Sequence, residues 1–418
     1  MNAGRAGALV APRLATATTD PPLRGATLTV EVVPDAAVAW DEDGLLTYAG
    51  PADGLPSDAS EPEVLEDALL VPGFVDCHTH LPFFGWRADE YAARLAGASY
   101  AGVQGEGGGI PRSARLLAAA SDEEVLDFSE ALALEMLAHG TTTVELKTGY
   151  GGSVEGELRQ ARLARTLAAL IPQTCSVTLL PCHAVPPGWS RADWVRAAVT
   201  EVIPQAAADG LADQIDIYVE DIAFSIEDLE QVAAAAAAHG LSLRVHADQM
   251  GDSGAAAAAA RLGAVAADHL NHAGPEGIAA LGAGAPVAVL LPASTFCLGA
   301  PPPPVRALLD AGAAVAIATD CNPGTSPVAS MPETIAFACR LYGLTPAQAL
   351  AAATANPAHV LGLGVTHGRL VPGMRADLLV IEGTGVERLA YRPGHDPVRR
   401  TYVGGELVAS TAAGAPAA

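Results

Sequence analysis

The chain has 418 residues, half of them hydrophobic and 17% charged, enough to bury a large core and, from length alone, to make two or three domains. This composition excludes a disordered chain, and a formal net charge of −24 excludes nucleic-acid binding through a broad basic face. An anionic ligand is repelled at long range, so it needs a locally placed Arg, Lys or metal ion.

Residues 27–33 and 36–40 read as short strands, 41–44 as a turn and 45–49 as a further strand. The other end of the chain reads alike, with strands at 377–381, 400–403 and 406–409, a Gly404-Gly405 turn, and a frayed tail over 410–418. Residues 1–69 and 369–418 are therefore expected to build one small β-sandwich domain from both termini. Between them, apolar runs at 69–75, 142–147, 176–183, 214–220, 242–248, 264–270, 286–292 and 314–320 alternate with helical segments. Eight strands separated by helices predict an α/β fold, a (β/α)₈ TIM barrel over 70–368. Ser121 with Glu124 marks a helix start, and His139-Gly140 and His239-Gly240 mark helix ends.

The six cysteines are scattered without a C-x-x-C pair, which favours reduced thiols over a disulfide framework. No apolar run is long enough to cross a bilayer, and the first residues lack a signal-peptide core. Cytoplasmic localisation without a membrane partner is expected.

Barrel enzymes carry their chemistry at the C-terminal ends of the strands. Seven of the eight expected ends bear polar or ionisable groups: Asp76-Cys77-His78-Thr79-His80, Lys147, His183, Glu220, His246-Ala247-Asp248-Gln249, His269 and Asp320. In an extended segment residues i and i+2 share a face, so His78 and His80 can reach one ion. His246, His269 and Asp320 end strands 5, 6 and 8 at the same mouth. Imidazoles plus a carboxylate suit a divalent Zn or Fe ion with one position open for water. Such an ion supplies a nucleophile at neutral pH, Asp320 can take a proton, and His269 can hydrogen-bond a carbonyl oxygen or shuttle a proton. Hydrolysis of a cyclic amide and deamination of an aminated heterocycle both fit.

Glu220 is expected to bond neighbouring backbone. His139 and His239 are expected beside helix C-termini, where the dipole favours them. His272 reads as a loop residue, and His359, His367 and His395 are assigned no chemistry.

The Pro72-Gly73-Phe74-Val75-Asp76-Cys77-His78-Thr79-His80 segment, with His246, His269 and Asp320 on strands 5, 6 and 8, resembles the signature of the amidohydrolase superfamily. The resemblance covers nearly the whole chain, including the return through Gly368 to Asp377 into the terminal β domain. It implies His78, His80, His246 and Asp320 as ligands of one metal ion per chain, with His269 and Asp320 catalytic. Lys147 follows strand 2, away from the strand that carries the bridging lysine of two-metal relatives, so a mononuclear site is expected. The fold family also implies a possible homodimer. A barrel serving as a non-catalytic scaffold is disfavoured, because every expected ligand is retained.

Four further segments are similar to the imidazolonepropionase family: Arg94-Leu95 through Tyr100 with Gly107-Gly108-Gly109-Ile110; Lys147-Thr148-Gly149-Tyr150-Gly151; His183-Ala184-Val185-Pro186-Pro187; and Thr319-Asp320-Cys321-Asn322-Pro323-Gly324-Thr325-Ser326-Pro327. The similarity implies hydrolysis of 4-imidazolone-5-propanoate to N-formimidoyl-L-glutamate. Arg87, Tyr150, His183, Asn322, Gly324 and Thr325 are then substrate contacts, with Arg87 gripping the carboxylate of a small anionic heterocycle. Gln249 stands where many members carry Glu. An amide cannot act as a base, but it can donate and accept hydrogen bonds, which makes Gln249 a further substrate contact. The bulky Phe83-Phe84-Gly85-Trp86 loop, Cys321 in place of a common aromatic, and Gly109-Ile110-Pro111-Arg112 are further departures. They bear on ring specificity and leave the reaction type intact.

Overall fold

A computed structural model describes residues 6–98, 102 and 107–411. The N-terminal part supplies β1 (Gly7–Thr16), β2 (Glu31–Trp40), β3 (Leu46–Pro51), β4 (Glu63–Val64) and β5 (Ala68–Pro72). Then follow β6 (Phe74–Asp76), β7 (Thr141–Lys147), β8 (Thr174–Cys182), β9 (Gln214–Val219), β10 (Ser242–Ala247), β11 (Ala266–His269), β12 (Val287–Leu290) and β13 (Ala314–Ile317). These eight are parallel, in sequence order, and close through a parallel bridge between Thr79 and Cys321. The chain returns through β14 (Leu378–Glu382), β15 (Val398–Val403) and β16 (Glu406–Ser410), giving a mixed sheet of order β16-β15-β14-β5-β1-β2-β3 with β4 beside β1. The (β/α)₈ barrel and the small β domain built by both termini are thus both present.

The barrel strands are buried on both faces, as parallel sheets covered by helices are. Leu9, Leu14, Val38, Leu70, Leu378 and Val380 form a separate apolar core under the terminal sheet. Helix punctuation follows the local chemistry. Ser121 accepts from the Glu124 N–H while the Glu124 carboxylate accepts from the Ser121 N–H, and Gly140 leaves the same helix at φ +90°.

Three strand expectations are corrected. β1 was not expected, because its Ala, Pro12 and Arg13 hide the alternation that marks a strand. The segments 27–33 and 36–40 give one strand, β2, that begins only at Glu31. Pro34 stays within the ladder opposite Arg13, with Asp35 at φ +44° absorbing the irregularity. The run 69–75 divides at Gly73, where a Cβ would meet Thr142 Oγ1 at 2.1 Å. Its first half, β5, pairs with β14 in the terminal sheet, and only β6 enters the barrel. Of the expected tail, Ser410 closes β16 and 412–418 lie outside the described residues, as do Ser99 and Tyr100.

Candidate metal centre and catalytic cleft

His78 and His80 lie just beyond β6, His246 is on β10, His269 ends β11, and Asp320 follows β13. Asp248, His269, Leu270 and Asp320 hold left-handed φ values between +50° and +75° at three of these strand ends. Such backbone is uncommon for residues with a Cβ and persists only where surrounding structure enforces it. The strand-end loops also fix one another across the barrel closure. The Asp320 N–H donates to the His78 carbonyl and the His80 N–H to the Cys321 carbonyl, both at 2.9 Å.

The side chains converge. Donor atoms of His78, His80 and His246 all lie within 4.8 Å of one another, as do those of His78, His269 and Asp320. Asp320 Oδ1 is 3.3 Å from His80 Nε2 and 3.6 Å from His78 Nε2. His78 Nε2 and His246 Nε2 are buried and have no hydrogen-bond partner among the described residues. Leaving buried polar atoms unpaired is costly, so their convergence beside a carboxylate is the arrangement a cation resolves. Burial pushes the His78 and His80 pKa values well below the ordinary imidazole range, keeping both rings in the neutral form that ligates. The donor set fits a divalent ion bound by imidazole and carboxylate. Burial also pushes His269 down to about 3 and raises the Asp320 carboxyl, despite the opposing pull of the neighbouring histidines on Asp320.

Beside this cluster a cleft is lined by Arg87, Tyr150, His183, Gln249, Asn322 and Thr325, together with His80, His246, His269 and Asp320. Gly324 stands behind the wall, against the Arg87 guanidinium. Arg87 is 3% exposed and its Nη1 has no partner among the described residues, although Glu90 approaches Nε at 3.5 Å. A buried guanidinium with an open donor is a ready seat for a carboxylate. The His183 ring stacks on His80 at 4.9 Å, with Nδ1 3.2 Å from the Gly149 carbonyl. Gln160 accepts from the Gly149 and Tyr150 N–H groups and so shapes the loop that presents Tyr150.

Asn322 turns its side chain into its own loop. Its Oδ1 accepts from the N–H groups of Gly324 and Thr325, and its Nδ2 donates to the Asp320 carbonyl. Glu220 accepts from the N–H groups of Gln249 and Met250, which is the structural role expected of it, and it orients Gln249 at the cleft. His139 and His239 cap helix C-termini, His139 also pairing with Asp396.

Sequence reasoning missed Tyr218 and Ile110 in the cleft wall, and the buried Glu145, Asp216, Arg244 and Asp268 beneath the histidines. The available signal was an acidic residue inside an otherwise apolar strand, as in Gln214-Ile215-Asp216-Ile217 and Ala266-Ala267-Asp268.

Comparison with known proteins follows the same lines. The family model described as Amidohydrolase family matches residues 69–408. The chain is 43% identical over 393 residues to the imidazolonepropionase of Rubrobacter xylanophilus, covering 93% of this chain and 94% of that one. It is 42% identical to that of Paracoccus denitrificans, covering 88% and 93%. Among solved structures, a zinc-bound adenosine deaminase from Xanthomonas campestris shares the fold at a TM-score of 0.69 and 22% identity, covering 96% of this chain and 92% of that one. With barrel, histidine cluster and full-length similarity in agreement, the chain belongs to the amidohydrolase family and, within it, to the imidazolonepropionases.

Proposed function

We infer that the chain hydrolyses the cyclic amide of 4-imidazolone-5-propanoate to N-formimidoyl-L-glutamate, the imidazolonepropionase reaction of histidine degradation. It is a hydrolase of carbon–nitrogen bonds. The observation that carries the substrate reading is Arg87, a buried cation with an open donor in the same cleft as the histidine–aspartate cluster. In a chain of net charge −24 it offers the local attraction that a propionate requires.

We assign His78, His80, His246 and Asp320 as ligands of one divalent ion, Zn or Fe. When bound, the ion supplies an activated water at neutral pH and polarises the amide carbonyl. Arg87 anchors the propionate, and Tyr150, His183, Gln249 and the 322–325 loop hold the ring against the cluster. Holding the ring in this way gains the entropic advantage of a positioned reactant. Asp320 accepts the proton of the attacking water. His269, neutral at physiological pH, hydrogen-bonds the carbonyl oxygen through its N–H and relays the proton held by Asp320 to the departing ring nitrogen. Carbon–nitrogen cleavage then opens the ring and leaves a second carboxylate.

Every residue assigned here falls in 70–368, which we regard as the hydrolase barrel, with 1–69 and 369–418 as the composite β domain. The six cysteines are all free, which supports a cytoplasmic setting. No helix among the described residues is long and apolar enough to cross a membrane.

The deciding experiment follows the loss of imidazolone absorbance when metal-loaded protein meets fresh 4-imidazolone-5-propanoate. Rapid loss with formation of N-formimidoyl-glutamate is expected. No turnover by protein holding one ion per chain sinks the substrate assignment and turns attention to other cyclic amides and aminated heterocycles.

A further inference from the structure

Beneath the histidine cluster lie five charged side chains with no solvent exposure: Glu145, Lys147, Asp216, Arg244 and Asp268. Lys147 is the only lysine in the chain, so the one ammonium side chain this protein possesses is buried in the barrel. Burying an ion is costly unless it is paired and hydrogen-bonded, and here the pairing has a particular form. Lys147 Nζ is 2.6 Å from Asp216 Oδ2, and that same oxygen is 3.0 Å from His246 Nδ1. Arg244 Nη2 is 2.6 Å from Asp268 Oδ2, and that same oxygen is 2.7 Å from His78 Nδ1. Two arms, starting on different strands, therefore repeat one order of cation, carboxylate and histidine. Glu145 Oε1 joins them, 2.9 Å from Lys147 Nζ and 2.6 Å from Arg244 Nη1, while Arg244 Nη1 also donates to the Cys77 carbonyl next to His78.

An apolar barrel floor would have been simpler to bury. What distinguishes these charges is where they end: each arm stops at the Nδ1 of a histidine whose Nε2 is buried without a hydrogen-bond partner among the described residues. Asp268 hydrogen-bonds His78 Nδ1, and Asp216 stands 3.0 Å from His246 Nδ1 as an ion-pair contact outside hydrogen-bond geometry. We propose that Lys147 and Arg244 are positioning residues for the metal centre, fixing the His246 and His78 rings through Asp216 and Asp268. The proposal rests on the assignment of those histidines as metal ligands. Each carboxylate is held on its cation, so it presents a fixed oxygen to one imidazole nitrogen and leaves the other nitrogen free to ligate. Groups that orient ligating histidines in this way typically govern metal affinity by about 10–100-fold.

The test measures Zn²⁺ affinity of the metal-free chain by competition with a chromophoric chelator, for the parent, Lys147→Met, Asp216→Asn and the double variant. Thermal unfolding of the metal-free forms serves as the structural control. Each single variant is expected to bind Zn²⁺ about 10–100-fold more weakly. The double variant should be within about two-fold of Asp216→Asn, because the lysine acts through the aspartate. Affinity unchanged in Lys147→Met, or losses that multiply in the double variant, overturns the proposal. Should Lys147→Met fail to fold, Asp216→Asn keeps the lysine and tests the same arm, and unchanged affinity there is equally fatal. No substrate enters the measurement. Lysine-dependent binding in a chain that does not open the imidazolone ring upholds the arms and sinks only the reaction assignment.

Discussion

Arg87 and Gly324 occupy one another's space: a Cβ built on Gly324 would lie 1.8 Å from Arg87 Nη2. The guanidinium stands beside Gly324 in the loop after β13, and the Arg87 backbone N–H donates to the Pro323 carbonyl at 2.9 Å. The glycine is required here by close approach. Its absent side chain leaves the room that the Arg87 guanidinium fills.

Gly324→Ala should therefore mimic loss of the arginine. Charge-assisted hydrogen bonds to a carboxylate contribute about 1.5–3 kcal/mol, so both Gly324→Ala and Arg87→Met are expected to lower kcat/KM by about 10–100-fold, mainly through KM. Steady-state kinetics on 4-imidazolone-5-propanoate checks this. A Gly324→Ala enzyme with unchanged KM would refute the coupling.

Metal removal should abolish turnover reversibly. Exhaustive chelation is expected to yield inactive, folded protein that regains activity with one equivalent of divalent ion. His246→Ala should bind the ion far more weakly and remain inactive at that stoichiometry. Elemental analysis alongside activity distinguishes loss of the ion from loss of fold.

His269→Asn should separate chemistry from binding. Removing a positioned acid–base group typically costs about 10²–10⁴-fold in rate, so kcat should fall by that order while bound metal stays near the parent level. Loss of the ion in this variant would make His269 a ligand.

Glu157 predicts a pH dependence of stability away from the metal. It is buried at the start of the helix Val154–Leu170, where its Oε1 accepts from the Gly151 N–H at 2.7 Å, and burial raises its pKa from the ordinary carboxylate range to about 7. Between about pH 4.5 and 7 the folded state thus holds a proton that the unfolded state has released. This contribution is complete below the unfolded pKa and is lost as pH rises through 7. Glu157→Gln, permanently neutral, should gain on the parent by up to about 3 kcal/mol between pH 5 and pH 8. Denaturant titrations at the two pH values measure it, and a difference that does not change with pH would contradict the assignment.

The barrel was legible because its strands are short apolar runs, seven of them ending in polar or ionisable residues, and because the spacing of His78 and His80 has meaning in an extended segment. His183 and Gln249 stand at or just past strand ends, whereas the place of Arg87 in the cleft was implied by the family resemblance, since it lies at the start of the helix Ala88–Leu95. What the sequence hid depended on register or on distant partners. Asp216 and Asp268 acquire a role only when barrel closure sets them under His246 and His78. β1 is disguised by proline and alanine, and the division at Gly73 is dictated by Thr142, nearly seventy residues away.

The barrel's closure has a consequence for how the protein is made. His78 and His80 belong to the first barrel strand and Asp320 to the last, meeting where Thr79 bridges Cys321. A ribosome must deliver some 240 further residues before that seam can be sealed. β5, which leads into His78, waits still longer for β14. The two ends of the donor set therefore meet only late in synthesis, and a nascent chain carries its histidine pair without the carboxylate that completes it. Assembly of the full donor set thus has to await the last barrel strand, β13.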